Sequence, residues 1–178
     1  ADSLAVVRGD GNGAFGTPFQ AALGPDPRGV TLADLDGDGA LDVVAACAGD
    51  HKLRTFRGNG DGTFDSTGTY QVGEGPLQVL ATDVDGDGRL DLVSVDAIGL
   101  TVSCLLDLGA GTFAPATRSS LVGVGGPVDH YDRAFAAAAA DLDDDGDVDL
   151  AVSTSWGGFL MLGDGHGAFT PSASILTP

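Results

Sequence analysis

Three copies of one loop place aspartate at the same four positions: Asp34-Leu-Asp36-Gly-Asp38-Gly-Ala-Leu-Asp42, Asp83-Val-Asp85-Gly-Asp87-Gly-Arg-Leu-Asp91 and Asp141-Leu-Asp143-Asp-Asp145-Gly-Asp-Val-Asp149. Each reads D-x-D-x-D-G-x-x-D, with carboxylates at positions 1, 3, 5 and 9. Four carboxylates converging in so short a turn repel strongly unless a cation sits among them. Hard oxygen ligands on a flexible loop, with glycine at position 6 for the sharp turn, are the donor set of calcium. The EF-hand puts its last carboxylate at position 12; here it falls at position 9, so the loop need not join helices. We expect three calcium ions, each held by the four aspartate side chains of its loop. Position 7 would add a backbone carbonyl, from Ala40, Arg89 and Asp147.

The elements that position these loops read as strands. Short apolar runs precede them at 30–33, 79–82 and 136–140, and others follow at 43–46, 92–95 and 150–153. Runs this short, bounded by glycine and aspartate, favour strands over helices. The alanines of 136–140 prefer helix, but their register before the loop matches the other two copies and overrides that preference. A second element follows each loop: Gly58 to Phe64, Leu108 to Phe113 and Gly163 to Phe169, with a fourth copy from Gly9 to Phe15. Its glycines suit a tight hairpin, and no lysine follows to make it a phosphate loop. Phe15 to Phe64, Phe64 to Phe113 and Asp34 to Asp83 are each 49 residues. A fixed period of this length with several short strands per unit indicates propeller blades.

The three aspartate loops and four glycine-rich turns ending in phenylalanine resemble the FG-GAP or VCBS repeats of integrin alpha-chain β-propellers and their bacterial relatives. The resemblance covers nearly the whole chain. The turns end Ala-Phe or Thr-Phe where the family name implies Phe-Gly, and the turn at Leu108-Gly109-Ala110-Gly111 is degenerate. The implied fold is all-β: a propeller sector of about three and a half four-stranded blades, with calcium loops between strands A and B. The expected divisions are a half blade of strands C and D at 1–29, a blade with the first loop at 30–78, a blade with the second loop and an insertion at 79–133, and a blade with the third loop at 134–178. Family propellers typically have seven blades. An open sector exposes apolar faces and sheet edges, so the expectation is a fragment of a larger propeller or a chain that completes itself by association.

Composition narrows the function. Net charge is −18, yet of 26 acidic residues only Glu74 is glutamate. A merely solvating acidic surface would use glutamate freely; aspartate dominates where short carboxylates turn a loop or hold a metal. Three divalent cations would bring the charge from −18 to about −12. Eight scattered Lys and Arg argue against nucleic acid. No stretch is long enough to insert into a membrane, and none reads as a signal peptide, so a mature or trimmed chain is expected. Cys47 and Cys104 read as two small buried hydrophobes in preference to a disulfide. There is no His-Glu-x-x-His and no Gly-x-Ser-x-Gly, and His51, His130 and His166 lack metal-ligand spacing. Nothing catalytic is expected.

One departure from the repeat points to a ligand. Phe113 to Asp141 spans 28 residues where the other blades use 19, and the extra residues fall in Gly123 to Arg133. In an up-and-down blade the D–A and B–C turns share the face opposite the A–B loops. The only tryptophan, Trp156, sits in a B–C turn of the next blade. His130, Tyr131, Asp132, Arg133 and Trp156 are therefore the candidate contacts for a protein or glycan ligand; in integrins the corresponding face meets the ligand. The expected function is a calcium-binding recognition or adhesion module of a secreted or cell-surface protein. The alternatives are a purely structural propeller segment or a non-catalytic part of a secreted polysaccharide- or peptide-acting enzyme.

Overall fold

The computed structural model describes residues 2–122, 133–155 and 157–174. Fourteen strands run in chain order there, with no helix among the described residues. The strands are β1 (Ser3–Val6), β2 (Phe19–Ala22), β3 (Pro27–Ala33), β4 (Asp42–Cys47), β5 (Lys52–Gly58), β6 (Phe64–Gln71) and β7 (Pro76–Thr82). They continue as β8 (Asp91–Asp96), β9 (Thr101–Leu105), β10 (Thr117–Ser120), β11 (Ala134–Ala140), β12 (Asp149–Thr154), β13 (Gly157–Gly163) and β14 (Phe169–Ser174). They form one two-stranded sheet, β1-β2, and three four-stranded antiparallel sheets, β3-β4-β5-β6, β7-β8-β9-β10 and β11-β12-β13-β14. This is a propeller sector of a half blade and three blades, without closure.

Register explains how an alanine run becomes a strand. Ala136 to Ala140 pair in order with Ser153 to Asp149 of β12. Gln78 of β7 adds a clamp: its Oε1 accepts from Ala137 N at 2.7 Å and its Nε2 donates to Ala137 O at 3.2 Å. Tertiary pairing outweighs the few tenths of a kcal/mol per residue that favour helix. The outer strand D begins at the phenylalanine in the blades that carry Phe64 and Phe169, but only at Thr117 after Phe113 and at Phe19 after Phe15. Pro115 and Pro18 stand in those two gaps, and proline has no N–H to donate to a ladder.

Blades pack through apolar strand faces. One core cluster joins the first and second full blades through Leu35, Val44, Leu53, Val79, Leu92 and Phe113. The other joins the second and third through Val84, Val93, Val102, Cys104, Leu150 and Phe169. Phe113 also meets Tyr70 edge-on, with ring centroids 5.5 Å apart. Backbones approach closely at the inner strands: a Cβ on Gly29 would lie 2.5 Å from Leu77 O, so only glycine fits there. The thiols of Cys47 and Cys104 are free and buried. Burial, then the charges of Asp91, Asp85 and Asp164, push the Cys104 thiol up to about 12, which keeps it an inert hydrophobe.

A polar knot also ties the first two full blades together. Asp96 is buried, and its Oδ2 accepts from Ser103 Oγ at 2.6 Å, Thr101 Oγ1 at 2.8 Å and Gly73 N at 3.2 Å. Its Oδ1 accepts from Ser94 Oγ at 2.8 Å. Burial raises the Asp96 pKa, and the four donors offset only part of that. An acid with a raised folded pKa binds its proton more tightly when folded. Its contribution to stability therefore falls as pH rises from the ordinary carboxylate range through the raised value, and stays lost above it. Relative to the parent chain, Asp96→Asn should gain melting temperature as pH rises above the ordinary carboxylate range at fixed calcium. A difference that stays constant as pH rises would contradict the reading.

Candidate metal sites

Each aspartate loop joins strand A to strand B of a full blade: β3 to β4, β7 to β8 and β11 to β12. Backbone geometry comes from residues with positive φ at positions 4 and 6. Position 4 is Gly37 at 76° and Gly86 at 73°, and position 6 is Gly39 at 88°, Gly88 at 87° and Gly146 at 96°. The third loop breaks the rule with Asp144 at φ 63°. A side chain in this region is strained by an amount of order 1 kcal/mol, somewhat less for aspartate. Asp144→Gly should therefore raise the melting temperature slightly, by about 0.5–1 kcal/mol of stability. A loss of stability in thermal denaturation would show that Asp144 contributes more than its strain costs.

The carboxylates are held by the loop's own amides. Asp34 Oδ1 and Oδ2 accept from Gly37 N and Gly39 N at 2.8 and 2.9 Å, and Asp83 accepts from Gly86 N and Gly88 N at the same distances. Asp141 Oδ2 accepts from Gly146 N at 3.1 Å. At position 5, Asp38, Asp87 and Asp145 each accept from the amide of position 7.

Position 9 does more. Asp42 is buried, with Oδ2 accepting from Leu35 N and Oδ1 from Gly58 N, both at 2.8 Å. Asp91 repeats this with Val84 N at 2.8 Å and Asp107 N at 2.7 Å. Asp149 does so with Leu142 N and Gly163 N, both at 2.8 Å. One carboxylate thus ties the start of its loop to the far end of strand C. Burial, opposed by those two amides, raises the Asp91 pKa, with Asp85 and Asp87 adding to the rise. The Asp143 carboxyl is also raised, by reduced hydration and then by Asp145 and Asp149.

Three trios of ligand atoms result, from Asp34, Asp36 and Asp42, from Asp83, Asp85 and Asp91, and from Asp141, Asp143 and Asp149, with the atoms of each trio within 4.8 Å of one another. Oxygens on one calcium stand at most about 5.2 Å apart, twice the longest bond. The trios fit a single hard cation. The position-5 carboxylates of Asp38, Asp87 and Asp145 are not part of these trios.

The loops also reach the core, through a residue that the aspartate pattern hides. Leu35 and Val84, at position 2, are 6% and 2% exposed and belong to the clusters between blades. Burying such a side chain contributes about 1.5–3 kcal/mol. Leu142, in the last of the described blades, is 45% exposed. The signal was present in the sequence as an apolar residue inside each acidic run.

On the opposite face, Arg133 lines a cavity of about 230 Å³ with Asp26, Arg28, Leu77, Ile98 and Phe135. That brings D–A and B–C connections of three blades to one mouth. His130, Tyr131, Asp132 and Trp156 lie outside the described residues. No helix among the described residues is long and apolar enough to cross a membrane.

Residues 1–45, 34–94 and 83–152 each match the FG-GAP-like repeat. The chain belongs to the FG-GAP-like repeat family. A comparison with curated protein sequences finds no match. Among solved structures, these repeats superpose on a lectin from Agrocybe aegerita, described in terms of its specific recognition of non-reducing terminal N-acetylglucosamine, with a TM-score of 0.58. Identity is 23%, over 98% of this chain and 46% of that one. BBS1N in complex with ARL6DN matches in two crystals. The lead-soaked one has a TM-score of 0.54 and 16% identity, over 84% of this FG-GAP-like chain and 44% of that one. The mercury-soaked one has a TM-score of 0.54 and 15% identity, over 86% and 46%. The chain thus spans a little under half the length of these structures, and at such identities the likeness is one of fold.

Proposed function

We propose that this chain is a calcium-braced β-propeller module of a secreted or cell-surface protein, and that it recognises a protein or glycan on the face opposite its calcium loops. The observation that carries the reading is the threefold repeat of carboxylates 1, 3 and 9 within 4.8 Å of one another. Asp34, Asp36 and Asp42, with their counterparts in the other loops, would hold the ion, and Asp38, Asp87 and Asp145 would close on it. Calcium would supply positive charge among carboxylates that otherwise repel. Sites of this type fill at extracellular millimolar calcium. Ordering a loop would fix Leu35 or Val84 in the core between blades, so the ion would act as a brace.

The recognition half rests on the sequence departures at His130, Tyr131, Asp132, Arg133 and Trp156, with Arg133 at the mouth of the opposite cavity. A lectin and a protein-bound propeller among similar folds support a glycan or protein partner. The test is a glycan array and a protein-binding screen with the parent chain and Trp156→Ala. Loss of a central aromatic contact should weaken binding by about 2 kcal/mol, roughly 30-fold, at unchanged melting temperature. A variant that keeps the parent's affinity for every partner would rule out this face.

A further inference from the structure

The second loop departs from the other two in a matched pair of residues. Position 7 is Arg89, where the others have Ala40 and Asp147. The residue whose amide meets the position-9 aspartate is Asp107, just past the end of β9, where the others have Gly58 and Gly163 at the ends of β5 and β13. These opposite charges are in contact: Arg89 Nε lies 3.2 Å from Asp107 Oδ2, and Arg89 Nη2 donates to Asp107 O at 3.2 Å.

Arg89 Nη2 also forms an ion pair with Asp87 Oδ2. Because Asp87 Oδ1 accepts from Arg89 N, both oxygens of the position-5 carboxylate are engaged by one residue. Asp107 is 3% exposed, and its Oδ2 accepts from Gly109 N at 3.0 Å. Its Oδ1 is the one buried side-chain oxygen or nitrogen without a hydrogen-bond partner among the described residues. A buried acceptor left unmade is costly, and a guanidinium that already touches its sister oxygen can satisfy both in a fork.

We propose that Arg89 is a built-in competitor for the cation of the second loop, and that Asp107 is the carboxylate onto which it withdraws when the cation takes Asp87. The inference rests on the calcium reading given above. The competitor makes the second site weaker than its ligand count implies. Withdrawal links its filling to Asp107, at the start of the turn after strand C.

The test resolves the sites by NMR, following the position-6 amides of Gly39, Gly88 and Gly146 during titration with calcium chloride. Arg89→Gln should tighten the Gly88 response about threefold or more, leaving Gly39 and Gly146 where they were. Asp107→Asn should weaken Gly88 in the parent and change nothing further in the Arg89→Gln background. A Gly88 response indifferent to Arg89→Gln overturns the inference alone, provided Gly39 and Gly146 still respond. An Asp107→Asn effect of equal size with and without Arg89 also overturns it, since charge alone would then suffice. Silence of all three glycines in the parent overturns both the inference and the calcium reading. Arg89 is half exposed, so its single substitution keeps the test decisive even if the buried Asp107→Asn costs the fold.

Discussion

In excess chelator the chain should melt well below its melting temperature in millimolar calcium. An ion that binds only the folded state stabilises it by about 2.7 kcal/mol per site at a hundredfold excess over its Kd. Three independent sites would contribute roughly 8 kcal/mol. At about 2–4 °C per kcal/mol for a chain of this size, the fall should be roughly 15 °C or more. The effect should spread beyond the loops, because Leu35 and Val84 carry loop order into both clusters between blades. Magnesium should restore little, because it demands near-octahedral geometry and sheds its waters reluctantly. Melting curves that superimpose with and without chelator would leave the loops as self-sufficient turns.

Asp91→Ala should be among the most damaging single substitutions in the molecule. It removes a trio member and also strands two buried amides, those of Val84 and Asp107, that its oxygens receive at 2.8 and 2.7 Å. Leaving two buried donors unmade costs about 3 kcal/mol or more, roughly 6–12 °C in melting temperature. Much of this loss should persist in chelator, because the amides are stranded whether or not an ion is present. Asp38→Ala gives the contrast. Its carboxylate holds only the exposed Ala40 amide, so its cost should appear in calcium and shrink in chelator. Equal losses for the two variants in chelator would show that position 9 has no structural role of its own.

Most of the architecture was legible because it repeats. Register copied across three blades settled even the alanine run of β11, where propensity alone pointed to helix. The loops announced the trios for the same reason, but not their membership. Which carboxylates converge depends on side-chain direction around a turn, and the carboxylates of Asp38, Asp87 and Asp145 fall outside the trios although spacing alone treats their position as equivalent. Position 9 read as a ligand, while its second role emerged only when strand C ended beside it. Departures from the repeat were harder to value. The insertion was conspicuous by length. Arg89 and Asp107 are 18 residues apart and look unrelated until the blade folds them together. Asp96 gave no signal, since burial of one carboxylate among serines and threonines is decided by how the blades dock.

The central claim is tested most directly by a crystal structure from crystals grown in millimolar calcium, with anomalous differences used to locate the ions. The account predicts three peaks, each between the position 1, 3 and 9 carboxylates, with oxygens at roughly 2.3–2.6 Å and the position-5 aspartate drawn in. Loops holding only water at that calcium concentration, with the carboxylates satisfied by their own amides, would contradict it.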